Sequence, residues 1–128
     1  MSFNLYPQLE DKSILLVDDE DFVREAAQRF LESYHAKVEA VSDKNKALPL
    51  LESQSFDVII LDLNMPGGGG LEIYEHVRST DKETPVVLCT GDFVNFDSSK
   101  FSADSKFVYI KKPYEPEEFL ATISRLLE

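Results

Sequence analysis

Four apolar runs in this 128-residue chain end in residue types that could do chemistry. After "ILLV" (Ile14–Val17) come Asp18, Asp19 and Glu20, and after "VIIL" (Val58–Leu61) comes Asp62. After "VVLC" (Val86–Cys89) come Thr90 and Gly91, and after "FVYI" (Phe107–Ile110) come Lys111, Lys112 and Pro113. If these ends converge, several carboxylates, one hydroxyl and at least one lysine share a pocket. Crowded carboxylates cannot all stay ionised without compensation, which a lysine and a bound divalent cation would supply. Oxygen ligands alone suggest Mg²⁺, which takes one or two carboxylates, keeps waters and accepts phosphate oxygens. A threonine hydroxyl and a lysine ammonium are suitable donors to that phosphate. A central carboxylate can itself be the nucleophile, forming an aspartyl phosphate.

Convergence depends on the elements that carry these residues. The four runs are β-branched or aromatic with little alternation, as strands buried on both faces of a parallel sheet are. A fifth candidate, "KVEAV" (Lys37–Val41), alternates and suits a position nearer an edge. Between the strands, Val23, Ala27, Phe30, Leu31 and Tyr34 recur at helical spacing, as do Phe119, Leu120, Ile123, Leu126 and Leu127 behind Pro116. Leu71, Ile73, Tyr74 and Val77 predict a short helix after the glycine run Gly67–Gly70. Ser42 is a candidate cap for a helix to Leu51 that Pro49 should kink or shorten. A short or irregular helix is expected near Val94 to Phe101. Five strands alternating with five helices predict a doubly wound α/β sandwich. In such sheets ligands bind outside the carboxyl ends of the strands, and right-handed connections bring those ends to one edge.

The totals limit the remaining choices. The length suits one domain, and 43% apolar residues make it globular. No apolar run is long enough to span a membrane, and the start shows no signal peptide. A net charge of −11 argues against direct nucleic-acid binding. Cys89, the single cysteine, excludes an internal disulfide and reads as an inert buried thiol. The expected location is the cytoplasm. His35 and His76 fall outside the strand ends and read as surface helix residues.

Taken together and in order, "VDDE", "LDLNMPGGGG", "VVLCTG" and "YIKKPY" resemble the receiver domain of two-component response regulators, of the chemotaxis-regulator kind. The resemblance runs from about Ser13 to Leu127. It implies an N-terminal extension over residues 1–12 and a receiver over 13–128. The implied fold is flavodoxin-like, a doubly wound (βα)5 sandwich with five parallel strands in the order 2-1-3-4-5. Asp62 would be the phosphoacceptor. Asp19 would bind Mg²⁺ directly, with Asp18 acting through water, Asp62 sharing the metal and Asn64 contributing its backbone carbonyl. Lys112, before Pro113 and an aromatic, would pair with the phosphoryl group, and Lys111 would be a surface neighbour. Thr90 would swing toward the phosphoryl oxygens and Tyr109 would follow it inward. Asn64 and Asp92 would flank the water that ends the signal and so tune dephosphorylation. The donor would be a histidine kinase or histidine phosphotransfer protein. A downstream protein or output domain would be met through the fourth helix, fifth strand and fifth helix.

The chain departs from the family pattern in its loop of consecutive glycines, of which only Gly70 falls at the expected position. Pro49 and the Asp92–Lys106 segment also differ, and Phe93, Phe96 and Phe101 could be core or a partner surface. The competing readings are a degenerate receiver acting only by protein contact, and a Mg²⁺-dependent phosphatase with an aspartyl nucleophile. The phosphatase commonly needs an acid two residues after the nucleophile, where this chain has Asn64. The end of the chain at the last helix suits both a stand-alone regulator and a module of a longer protein.

Overall fold

The computed structural model describes residues 4–63, 65, 69–91, 98–101 and 103–128, without the side chains of Ser98 and Lys100. Five strands form one parallel sheet: β1 (Ser13–Val17), β2 (Lys37–Val41), β3 (Val58–Asp62), β4 (Val86–Thr90) and β5 (Phe107–Lys111). Their order is β2-β1-β3-β4-β5, as expected, with β2 on an edge. Every residue of β3 and β4, two of the three interior strands, is buried, which is why they read as unbroken apolar runs.

The two-residue period of a strand divides the core into two layers. Ile14, Leu16, Val58, Ile60, Val87 and Cys89 face helices α1 (Asp21–Ser33) and α4 (Pro116–Leu126), meeting Ala27, Leu31, Phe119 and Ile123. Leu15, Val17, Ile59, Leu61, Val86 and Leu88 face helices α2 (Lys44–Ser53) and α3 (Gly69–Thr80), meeting Ala47, Ile73 and Val77. Residues ahead of β1 join the first layer. Leu9 in a 3-10 turn (Pro7–Leu9) is fully buried, and Tyr6 packs edge-on against Tyr34 with ring centroids 5.0 Å apart. The Ser124 hydroxyl donates to Gln8 Oε1 at 2.8 Å.

Several local expectations change. Four α-helices are present among the described residues instead of five. The described end of the Asp92–Lys106 segment is a 3-10 turn, Ser98–Phe101, in keeping with its weak helix formers. Phe101 belongs to the core, stacked on Phe107 at 4.1 Å, while Phe93 and Phe96 lie outside the described residues. Asp43 rather than Ser42 caps α2, because its extended backbone lets the side chain accept from Lys46 N at 2.9 Å. Pro49 lies inside α2 without ending it. His35 lies beyond α1 in a left-handed turn (φ 69°), where its N–H and that of Ala36 close onto Glu32 and Leu31. No helix among the described residues is long and apolar enough to cross a membrane.

Candidate functional site

The strand ends converge as the topology requires. Asp62 is the last residue of β3 and only 2% exposed, and Asp18 directly after β1 is 4% exposed. Carboxylate oxygens of Asp18, Asp19, Glu20 and Asp62 all lie within 4.8 Å of one another. Lys112, two residues after Ile110, reaches into this group. Its ammonium donates to Asp18 Oδ2 at 2.8 Å and stands 3.2 Å from Asp62 Oδ2 and 3.5 Å from Glu20 Oε1. Main-chain bonds that extend the parallel ladder hold these residues at the edge: Asp18 N to Val41 O, Leu63 N to Cys89 O and Lys112 N to Thr90 O.

Asp18 is fully engaged. Its Oδ1 accepts from Glu20 N at 2.9 Å and its Oδ2 from Lys112. Among the described residues, none pairs with the Asp19 carboxylate, which remains partly exposed. The cluster therefore fits a hard divalent cation: its donors are carboxylate oxygens, and one of them is uncommitted. Burial alone would lower the pKa of Lys112. The hydrogen bond and charge of Asp18, with the charge of Asp62, outweigh it and hold the ammonium above its ordinary value. Burial pushes the Cys89 thiol up to about 12, which makes it the inert thiol expected. Burial likewise raises Tyr114, whose ring stacks on Phe119 at 4.6 Å.

Thr90 ends β4 and is fully buried. Tyr109 pairs in register with Leu88 and shares its face of the sheet, the face to which Thr90, two residues on, also belongs. Its side chain is 43% exposed, so it is not plain core. Lys111 is exposed. Asn64 and Asp92 lie outside the described residues. Glu20 enters the acidic cluster although it was given no site role from the sequence; its place beside Asp18 and Asp19 was the available signal. A groove of about 650 Å³ opens from Asp62 and Lys112 between α1 and α4, walled by Phe22, Val23, Phe30 and Tyr114.

An open parallel sheet of this order, with carboxylates and a lysine gathered at its carboxyl edge, defines a flavodoxin-like protein with an acidic cluster at its topological switch point. The response regulator receiver domain matches residues 14–124, and the chain belongs to that family. It is 36% identical over 115 residues to the response regulator MprA of Mycolicibacterium vanbaalenii, covering 89% of this chain and 49% of that protein. It is 30% identical over 115 residues to the transcription factor SKN7 of Saccharomyces cerevisiae, covering 90% of this chain and 18% of that protein. The chain thus spans half or less of these curated relatives. Among solved structures, the chemotaxis protein CheY4 of Vibrio cholerae superposes with a TM-score of 0.81 at 31% identity, covering 91% of this chain and 98% of that one. The response regulator TrrA of Thermotoga maritima, solved in complex with Mg²⁺-BeF, gives 0.79 at 28% identity, covering 90% and 98%.

Proposed function

We propose that the domain is a phosphoacceptor switch in which Asp62 takes a phosphoryl group from a phosphohistidine. The observation that carries this reading is the placement of Lys112, an ammonium shared between Asp18 and the buried Asp62 at the end of β3. A carboxylate oxygen of Asp62 attacks phosphorus, an O–P bond forms as the N–P bond breaks, and the imidazole leaves with a proton. Asp62 is held on a rigid central strand, so its oxygen approaches without reorganising. Lys112 neutralises the phosphoryl oxygens once they arrive, as it neutralises the carboxylates before. Asp19 would hold Mg²⁺ directly, Asp18 through water, with Asp62, Glu20 and the Asn64 carbonyl completing the set. Bound there, the ion supplies positive charge to the transferred group.

Thr90 is the hydroxyl on the strand next to Asp62, and its movement toward the phosphoryl group would draw Tyr109 in from its exposed position. Phosphorylation then shifts a two-state equilibrium. The donor, a histidine kinase or phosphotransfer protein, would approach through the groove beside Phe22 and Tyr114. The active state would be read through β5, α4 and the segment before β5 by a downstream protein or output domain. Asn64 and Asp92 would set the rate at which water removes the phosphoryl group; replacing both should change the decay half-life.

Labelling with a small-molecule phosphodonor and Mg²⁺ tests the reading. Wild type should take up one phosphoryl group per chain and Asp62→Asn none. Full labelling of the variant would overturn the assignment, and sustained turnover of a phosphomonoester would favour the phosphatase.

A further inference from the structure

Arg24 lies one turn into α1 and pairs with no carboxylate of the acidic cluster, yet it holds the peptide that carries two of them. Its Nη1 donates to the main-chain oxygen of Asp18 at 2.8 Å, and its Nη2 to Asp21 Oδ1 at 2.7 Å. The side chain is 17% exposed, and its own main-chain N–H donates to Glu20 O at 2.9 Å. The Asp18 oxygen belongs to the planar peptide unit that joins Asp18 to Asp19. Fixing that oxygen fixes the plane from which the Asp19 Cα and side chain depart.

The bond to that oxygen comes from Arg24 and not from the rest of the turn. Asp18 is anchored on the strand side of that peptide through its N–H to Val41 O and through Oδ2 to Lys112, while its Oδ1 accepts from Glu20 N across the turn without holding the Asp18 main-chain oxygen. On the helix side, the residue at the N-cap, Glu20, makes no side-chain capping bond. Since no described residue pairs with the Asp19 carboxylate, its direction is set by the backbone.

We propose that Arg24 is a positioning residue for cation binding: its guanidinium fork locks the Asp18–Asp19 peptide so that the Asp19 carboxylate faces Asp62. The inference rests on the reading of the cluster as a Mg²⁺ site. A purely electrostatic role would have the opposite sign, because a guanidinium near a divalent cation repels it and its removal would tighten binding. Positioning requires that removal weaken binding in spite of the relieved repulsion.

The experiment is a Mg²⁺ titration of wild type, Arg24→Met and Arg24→Lys without phosphodonor, with amide ¹H–¹⁵N spectra of the metal-free proteins. Arg24→Met should weaken Mg²⁺ by about tenfold, the scale of lost outer-shell support. Arg24→Lys keeps the charge but loses the fork, and should also weaken it. The Asp19 amide cross-peak, which reports the held peptide, should move in both metal-free variants. Wild-type or tighter affinity in Arg24→Met would overturn the proposal. If that variant does not fold, wild-type affinity in Arg24→Lys would do so. Wild-type protein without Mg²⁺ affinity would instead overturn the reading of the cluster.

Discussion

Gly70, in the first turn of α3, sits against the main chain of Asp62 with no room for a side chain. A Cβ there would overlap the Asp62 carbonyl oxygen and stand 3.1 Å from its carbonyl carbon and from Leu63 Cα. Gly70→Ala must therefore displace either α3 or the end of β3. It should cost about 1–3 kcal/mol, the range for an overpacked site, and slow labelling of Asp62. Gly69→Ala meets side-chain atoms first, Lys44 Cβ at 3.1 Å and Met65 Cε at 3.3 Å, with main chain no closer than Lys44 N at 3.8 Å. Its better helix propensity, worth about 0.5–1 kcal/mol, should offset most of that crowding. Denaturant midpoints and labelling rates of the two variants check the contrast; equal effects would place the tight approach elsewhere.

Lys112→Ala should destabilise the metal-free protein by about 3 kcal/mol, because it leaves Asp18 and Asp62 buried without their counter-charge. Mg²⁺ supplies the missing positive charge, so it should raise the melting temperature of the variant more than that of wild type. Thermal melts with and without Mg²⁺ measure the difference. An equal rise in both proteins would mean that Lys112 does not balance the carboxylates.

Asp19 and Glu20 differ in what surrounds them. Glu20 stands 3.5 Å from Lys112, whereas no described residue pairs with Asp19. Asp19→Ala should weaken Mg²⁺ by about tenfold or more, on the scale of a lost carboxylate ligand, and Glu20→Ala by less. Calorimetric titration orders the two, and a larger loss in Glu20→Ala would reverse the ligand assignment.

At the opposite end of α3, Arg78 Nε and the Tyr74 hydroxyl both donate to Asp104 Oδ2, at 2.7 and 2.5 Å. Arg78 also donates to the carbonyls of Thr84 and Lys106, at 2.7 and 3.1 Å. Burial, reinforced by Asp104, pushes Tyr74 up to about 12. Above about pH 10 an unfolded tyrosine ionises while the folded one keeps its proton, so stability falls as pH rises from about 10 toward 12. Burial alone would raise Asp104, but the bonds from Arg78 and Tyr74 hold it below its ordinary value. Its contribution is present above the usual carboxylate range and is lost as pH falls through the folded value. Tyr74→Phe should remove part of the alkaline loss, and Arg78→Ala should cost about 3 kcal/mol at neutral pH. Denaturant titrations at several pH values test both; an unchanged alkaline limb in Tyr74→Phe would exclude this tyrosine as its source.

The strands and their order were legible because burial on both faces leaves an unbroken apolar signature. The expected runs at Ile14, Val58, Val86 and Phe107 all became strands with the chemistry-bearing residues at their ends. Local competition was less legible. Ser42 and Asp43 are both good caps, and only the backbone angle of Asp43 selects between them. The weak helix formers after Thr90 forecast irregularity without showing that Phe101 would turn inward against Phe107.

Residue types and spacing alone determined the parallel sheet and the edge where Asp18, Asp19, Asp62, Thr90 and Lys112 gather, because strand periodicity and connection handedness are local rules; the family followed from the resemblance of four motifs to known receiver domains. Tertiary structure decided what no local rule reaches. Lys112 comes to lie between Asp18 and Asp62, Gly70 abuts the Asp62 main chain, Tyr109 points outward and Arg24 grips the Asp18 carbonyl. These depend on angles and contacts between elements far apart in the chain, set only when the two layers pack against the sheet.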